Sequence, residues 1–243
     1  MANNTVVARE EWLESRKALL ALEKEATRLR DRINAQRLSM PWVKIDKTYV
    51  FDTPDGRQSL AELFNGRSQL VVYHFMLGPG WQAGCPSCSF VADHLEGTLI
   101  HLNHHDVTMI MISHAPLAEI AAYKKRMGWR IPWVSSFNNN FNFDYHVSFT
   151  KDDLAGDKVT YNFAEIPASD AFDELPGLSA FYKDEAGEIY NTYSAYARGL
   201  EELIGTFMIL DRAPKGRNEN TIMDFVRRHD EYEDKPKAYV RSA

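Results

Sequence analysis

Cysteine is scarce in this chain, with two among 243 residues, too few for a disulfide scaffold. No apolar run approaches the roughly 20 residues needed to cross a bilayer, so the sequence predicts no membrane partner. Basic blocks are also missing. The 28 Lys and Arg against 34 Asp and Glu leave a net charge of −6, which argues against nucleic acid as a partner. The opening residues, MANNTVVAREEW, lack the charged start, apolar stretch and cleavage site of a secretory signal. There is no internal repeat or low-complexity tract. These absences predict a soluble, cytoplasmic protein whose thiols are mostly reduced. What is present is ordinary core material: 44% hydrophobic residues, including five Trp and eleven Tyr.

The chain divides at about residue 40. Residues 1–39 read as a helical extension, in which Trp12, Leu19, Ala26 and Ile33 recur every seven residues, with Leu22 and Leu29 between them. That is an a/d seam over about four heptads. It fits two arrangements: a helix packed across its own domain, or a helix pairing with a second copy of the chain. Met40 before Pro41 ends it, because the residue before proline avoids the helical region.

From 40 to 243 the pattern alternates. Tyr49–Phe51 reads as a strand. Leu70–Met76 (LVVYHFM) and Val107–Ser113 (VTMIMIS) are apolar runs of the kind buried on both faces. Residues 86–104 read as helix, as does Pro116–Met127, with Gly128 at its C-terminal stop, and Ile131–Phe137 is extended. Strands alternating with helices predict parallel pairing with helices on both faces. Residues 138–177 are broken and polar and read as an insertion, with FNFDYHVSF a half-buried strand or ordered loop. Leu178–Lys183 and Glu188–Tyr196 flank Glu185-Ala186-Gly187 as a hairpin. C-terminal helices follow, one over 199–210 and a short one in IMDFVRRHDEY.

Both cysteines fall in GCPSCSF. Pro86 suits a first helical position, where its missing N–H costs nothing, and this puts Cys85 at the N-cap. There the unpaired N–H groups and the helix dipole favour the thiolate. Cys88 lies one turn on, close enough for a disulfide, and shares a stripe with Val91, Leu95, Leu99 and Leu102 that should face the sheet. One activated thiol with a second half-buried behind it is the division of labour in dithiol exchange. The bland alternative is two small apolar residues in a packed loop. A third option is zinc, with histidines completing the set. His94, His101 and His105 share a helical stripe, but it diverges from Cys88 by more than a quarter turn, so no metal ligands are assigned. A peroxidatic centre fits worse, since Gln82 stands three before Cys85 where Thr or Ser would be needed.

A buried strand, Cys-Pro-Ser-Cys opening a helix, strand–helix and a late hairpin resemble the thioredoxin fold, with a glutaredoxin-like proline between the cysteines. The stretches SQLVVYHFM, GPGWQAGCPSCSF, YKKRMGWRIPWVSS, FNFDYHVSF, PGLSAFY, YNTYSAYARGL, APKGRNE and RRHDEY make the chain similar to an uncharacterised bacterial thioredoxin-like family, a domain of unknown function. The resemblance implies an α/β thioredoxin-like fold, a central mixed sheet flanked by helices, with the long N-terminal helix and the insertion as additions. The resemblance supplies no substrate; with the dithiol reading of the residues, the leading function is thiol–disulfide oxidoreduction by Cys85 and Cys88 without a cofactor, acting on protein or small-molecule disulfides and thiols. The resemblance further implies that Pro176 is the cis-proline packed against the pair, with Pro132 as competitor. His74 would take the place of the buried acid beneath the pair, the alternative being a core histidine hydrogen-bonded to backbone, and Trp81 that of the tryptophan before the first cysteine. Leu77–Gly84 lengthen the loop before Cys85, so the rim should differ from that of thioredoxin. The alternative functional readings are a non-enzymatic interaction protein and, less favoured, a metal-binding protein.

Overall fold

LVVYHFM becomes the middle of an eight-stranded sheet because every second side chain of a doubly covered strand faces a different core. The computed structural model describes residues 5–232. Along the chain run α1 (Arg9–Leu38), β1 (Val43–Lys44), β2 (Val50–Thr53), β3 (Gly56–Ser59), α2 (Leu60–Leu63) and β4 (Gln69–His74). Next come α3 (Pro86–Leu95), α4 (Leu99–His104), β5 (Val107–Ser113), α5 (Leu117–Met127) and β6 (Trp133–Ser135). The insertion carries α6 (Phe141–Asp144), α7 (Lys151–Ala155), β7 (Lys158–Tyr161) and β8 (Ala164–Pro167), and β9 (Gly177–Lys183), β10 (Ile189–Tyr196) and α8 (Gly205–Leu210) close the chain.

The sheet order is β1-β10-β9-β4-β5-β6-β2-β3. Strands β4, β5 and β6 pair in parallel, and β9 and β10 return antiparallel beside β4. This is the thioredoxin-like α/β fold that the sequence resembles. Tyr73, Phe75, Met109, Met111 and Trp133 face a core shared with α3 and α5. Leu70, Val72, Ile110, Ile112 and Val134 face a second core with Phe51, Phe64 and Phe141.

Some boundaries differ from the sequence reading. Helix 86–104 is interrupted by a 3-10 turn over Glu96–Thr98, and residues 197–203 form a 3-10 helix ahead of the short α8. Of the two forms expected for FNFDYHVSF, the ordered loop is the one present: it opens as α6 and continues as a loop that buries Phe141, Tyr145 and Val147. The insertion is therefore ordered, with its own two-stranded sheet of β7 and β8. The run IMDFVRRHDEY forms turns rather than a helix, because its polar groups are spent on partners outside it. Its last residues, Arg228 to Glu231, dock on α3, α5 and the loop before Cys85.

Helix α1 buries no residue. Among the described residues it meets the body near its C-terminal half, where Arg30 and Arg37 lie 3.6 and 3.8 Å from Glu202 and Arg37 sits over the Tyr193 ring. Its seam residues Trp12, Leu19, Leu22, Leu29 and Ile33 are all exposed, so the helix does not pack across its own domain. Among the described residues no helix is long and apolar enough to cross a membrane.

Candidate active site

The strand leaves β4 into a tight pocket of aromatic rings that fixes where Cys85 can lie. Phe75 is buried among Trp133, Trp129 and Tyr123, with ring centroids 4.5, 5.9 and 6.2 Å away. A Cβ on Gly84 would stand 2.4 Å from Phe75 Cε1 and 2.7 Å from Tyr123 Cε1, so only glycine lets the chain pass. The Cys85 N–H donates to the Met76 carbonyl at 3.1 Å, folding the loop back onto the end of β4. Pro86 then starts α3 with Cys85 as its N-cap. The Cys85 carbonyl accepts from the Ser89 N–H (2.9 Å) and the Ser89 hydroxyl (2.8 Å), and that hydroxyl is 2.8 Å from Tyr123 Oη.

The two thiols are free and face opposite environments. Cys85 is half-buried and Cys88 buried. The Cys85 thiol is pulled down to about 6, chiefly because it accepts the Cys88 S–H, aided by the N–H groups of Cys88 and Ser87 and by the Arg228 guanidinium, against the opposing effect of burial. Burial pushes Cys88 well up, reinforced by its bond to Cys85, while the Tyr73 hydroxyl and the Met76 backbone act in the other direction. Tyr73 is itself raised, mainly by burial. Tyr73, Cys88 and Cys85 thus line one cavity, with the phenol bearing on the buried thiol and the buried thiol on the half-buried one. Arg228 sets its guanidinium with two bonds to the Gly84 carbonyl, 2.9 and 2.7 Å, and a third to Glu231 at 2.8 Å.

Both sulphurs open on a cavity of about 190 Å³ lined by Tyr73, Met76, Val91, Pro176, Leu200, Ile204, Ile222 and Met223, with Ala197, Arg198 and Glu201 also at its wall. Two of its residues, Ala197 (φ 47°) and Met223 (φ 63°), hold left-handed backbone that non-glycine residues rarely adopt. The insertion braces the wall: the Tyr161 hydroxyl donates to the Pro176 carbonyl at 2.7 Å and accepts from the Ala197 N–H at 3.1 Å. Two residues before Pro176, the buried Glu174 accepts from the Ser148 hydroxyl at 2.7 Å and lies 3.3 Å from His114 Nδ1.

The sequence-derived residues fall into place unevenly. Cys85, Cys88, Pro86 and Pro176 come together. Trp81 sits on the loop before Cys85, its indole N–H donating to Asp173 at 3.0 Å. Pro176 lines the cavity, but its peptide bond is trans, as are all described peptide bonds, Pro132 included. The Leu175 N–H is held by the Val147 carbonyl at 2.8 Å and Pro176 O by Tyr161, so this segment enters β9 as extended chain anchored by the insertion. His74 does not lie beneath the cysteines. It faces the second core, stacked on Phe141 and Tyr145 with Nε2 2.9 Å from Ser179 Oγ. One step along a strand changes face, so Tyr73 and not His74 meets Cys88. His94 is engaged in docking α8: its Nδ1 contacts the Phe90 carbonyl at 2.6 Å, and Nε2 accepts from the Thr206 N–H at 3.1 Å. His101 and His105 are exposed on and beside α4, and among the described residues no group of three or more His, Cys, Asp or Glu is arranged around a common point for a metal ion. The sequence reading missed Tyr73, Tyr161 and Arg228. Tyr73 was available from its phase with Phe75, whereas no local pattern marks Arg228.

The chain belongs to a family of bacterial proteins of unknown function, DUF899, which it matches over residues 1–232. No curated protein matches it. Among solved structures it is similar to the peroxidoxin BcpB from Mycobacterium tuberculosis, with 13% identity, a TM-score of 0.42, and coverage of 68% of this chain and 96% of that one. Peroxiredoxin Q from Xanthomonas campestris is similar at 9% identity and a TM-score of 0.42, over 65% and 87% of the two chains. The mitochondrial 2-cys peroxiredoxin from Plasmodium falciparum is similar at 14% identity and a TM-score of 0.40, over 70% and 95%.

Proposed function

We propose that this member of the DUF899 family is a thiol–disulfide oxidoreductase in which Cys85 attacks and Cys88 resolves. The observation that carries the reading is the opposed poise of the two thiols one helical turn apart. Cys85 at the N-cap, its thiol held low by Cys88 and the helix N–H groups, supplies the attacking thiolate. It attacks one sulphur of a disulfide R–S–S–R′, forming Cys85–S–S–R and expelling R′S⁻. Cys88 then loses its proton to that thiolate, its developing charge held by the Tyr73 hydroxyl, and attacks Cys85 sulphur. The mixed disulfide breaks, RS⁻ leaves, and the Cys85–Cys88 disulfide remains. The dithiol has lost two electrons and the substrate has become two thiols; the reverse sequence oxidises thiols. Iodoacetamide labelling read by mass spectrometry should modify Cys85 first and at lower pH, and Cys88→Ser should trap mixed disulfides that Cys85→Ser does not. Two thiols that react no faster than free cysteine, with no intramolecular disulfide, would leave a non-catalytic thioredoxin-fold interaction protein.

The partner reading extends to a second copy of the chain, joined through α1. The helix is about 45 Å long at 1.5 Å per residue, and its seam has no partner within the described chain. Residues 9–23 carry four acids against three bases and residues 24–38 five bases against two acids. Antiparallel pairing of two copies sets the acidic half of each helix against the basic half of the other while closing the seam. Sedimentation of the full chain and of one beginning at Met40 tests this: the first should dimerise and the second should not, and a full chain that stays monomeric at high micromolar concentration defeats it.

A further inference from the structure

We propose that the disulfide reduced at this centre is a small molecule with short apolar substituents, and that peptides and charged disulfides are excluded; this rests on the oxidoreductase reading. The size of the cavity is the first argument. Its 190 Å³ is little more than the roughly 150 Å³ that holds one benzene and well below the roughly 300–1,000 Å³ of drug-sized sites. Room beside the sulphurs is therefore about that of one short alkyl or aryl arm.

The chemistry of the wall is the second. Val91, Leu200, Ile204 and Met223 present only apolar surface. The two charged residues there, Arg198 and Glu201, are bonded to each other at 2.8 Å, and Arg217 lies 3.6 Å from the same carboxylate. The Glu201 carboxylate is thus already paired, and Arg198, 70% exposed, holds its charge in solvent, so a charged arm buried beside the sulphurs would lie unpaired among apolar side chains, which is costly.

The third argument concerns backbone. A peptide docks beside a dithiol by adding a strand, which needs main-chain donors and acceptors at the edge. Here the Leu175 N–H is bonded to Val147, the Pro176 carbonyl to Tyr161 and the Ala197 N–H to Tyr161, and Pro176 has no N–H to offer. The insertion has taken these three main-chain groups at the edge beside the cysteines. Ile222, 60% exposed, forms the lip through which a small ligand passes.

The test is stopped-flow oxidation of the reduced full-length protein, following loss of thiolate absorbance, with dimethyl, diethyl and dipropyl disulfide, cystine, glutathione disulfide and insulin. The second-order rate constant should rise about fourfold per methylene that enters the cavity. The dipropyl compound should outrun cystine and glutathione disulfide by about 100-fold, reflecting the burial of unpaired charge, and insulin should remain unreduced. Ile222→Trp should slow the dipropyl reaction about tenfold, a barrier change of about 1.4 kcal/mol, while the Cys85 titration stays where it was. Glutathione disulfide or insulin reacting as fast as the alkyl disulfides overturns the substrate class while the oxidoreductase reading stands. Failure of every disulfide to produce the Cys85–Cys88 bond overturns both.

Discussion

Tyr73 and His74 are neighbours on β4, each about 1% exposed, and they take part in different chemistry. Tyr73 points to the core under α3 that holds Cys88, and its hydroxyl eases the upward push of burial on that thiol. His74 points to the insertion, where it lies between aromatic rings, bonded to Ser179 through Nε2 while Nδ1 has no partner. A sheet covered on both sides thus separates two buried titratable groups by the thickness of its backbone. On one face burial tunes a reacting sulphur. On the other it bears on stability alone.

The largest effect that would sharpen this contrast lies on the His74 face. Burial holds the imidazole down to about 3 from its ordinary value of 6.5. The unfolded chain therefore takes up a proton below 6.5 that the folded protein refuses until near 3. Stability is full above 6.5 and is lost as pH falls, by on the order of 5 kcal/mol across that window. His74→Asn should flatten this slope, and urea unfolding of both proteins from pH 7 to 4 measures the difference, carboxylates common to both cancelling. Equal slopes would show that His74 is not kept neutral. Next in size is Gly84→Ala on the thiol face. The added methyl meets Phe75 and Tyr123 at 2.4–2.7 Å, so overpacking should cost about 1–3 kcal/mol and shift the Gly84 carbonyl away from Arg228. Thermal unfolding, together with a raised Cys85 titration, reports both. A change in stability without the titration shift would detach Gly84 from the site.

Tyr73→Phe comes third. It removes one hydroxyl from the Cys88 side and should slow resolution of the mixed disulfide about tenfold, the worth of one hydrogen bond to a developing thiolate. The pH at which resolution reaches half its limiting rate should move up, because nothing then eases Cys88 deprotonation. His74→Asn should leave that step unchanged, although it alters stability more. If the two variants exchange roles in rapid-mixing experiments, the assignment of faces is wrong.

Much of this was legible in the residues, for reasons that differ by region. Val107–Ser113 was readable to the residue, since an unbroken apolar run between polar turns has one buried solution. Cys85 at the N-cap followed from Pro86, whose fixed φ and missing N–H leave few other places. Of the two readings of His74, the core histidine is the one the fold adopts; the resemblance set it in the place of a buried acid, while the alternation pairing Tyr73 with Phe75 was the stronger physical signal. Pro176 reached the right place with the wrong geometry, because its conformation depends on Tyr161 and Val147, which only the folded insertion brings near. Arg228 was out of reach: 144 residues separate it from Gly84, and no local pattern says that a run of turns will return to the loop before Cys85.

Arg228 also supplies the smallest and most discriminating effect. The first cause of the low Cys85 value is the Cys88 S–H, and Arg228 comes behind it and the backbone N–H groups. Cys88→Ala should therefore raise the Cys85 titration more than Arg228→Gln does. The size of the arginine effect is limited because a half-buried guanidinium already bonded to Gly84 and Glu231 has its charge partly offset. Arg228→Lys separates charge from geometry: it keeps the cation and loses the two-pronged grip on Gly84 O. If charge is what matters, lysine should hold the titration near the parent value at low salt and lose that advantage as salt screens it. If the grip matters, lysine and glutamine should behave alike at every ionic strength. Thiolate absorbance against pH for the three variants decides between them. An Arg228→Gln shift larger than that of Cys88→Ala would mean that the thiolate is held by the docked C-terminal segment and not by its neighbour in the helix.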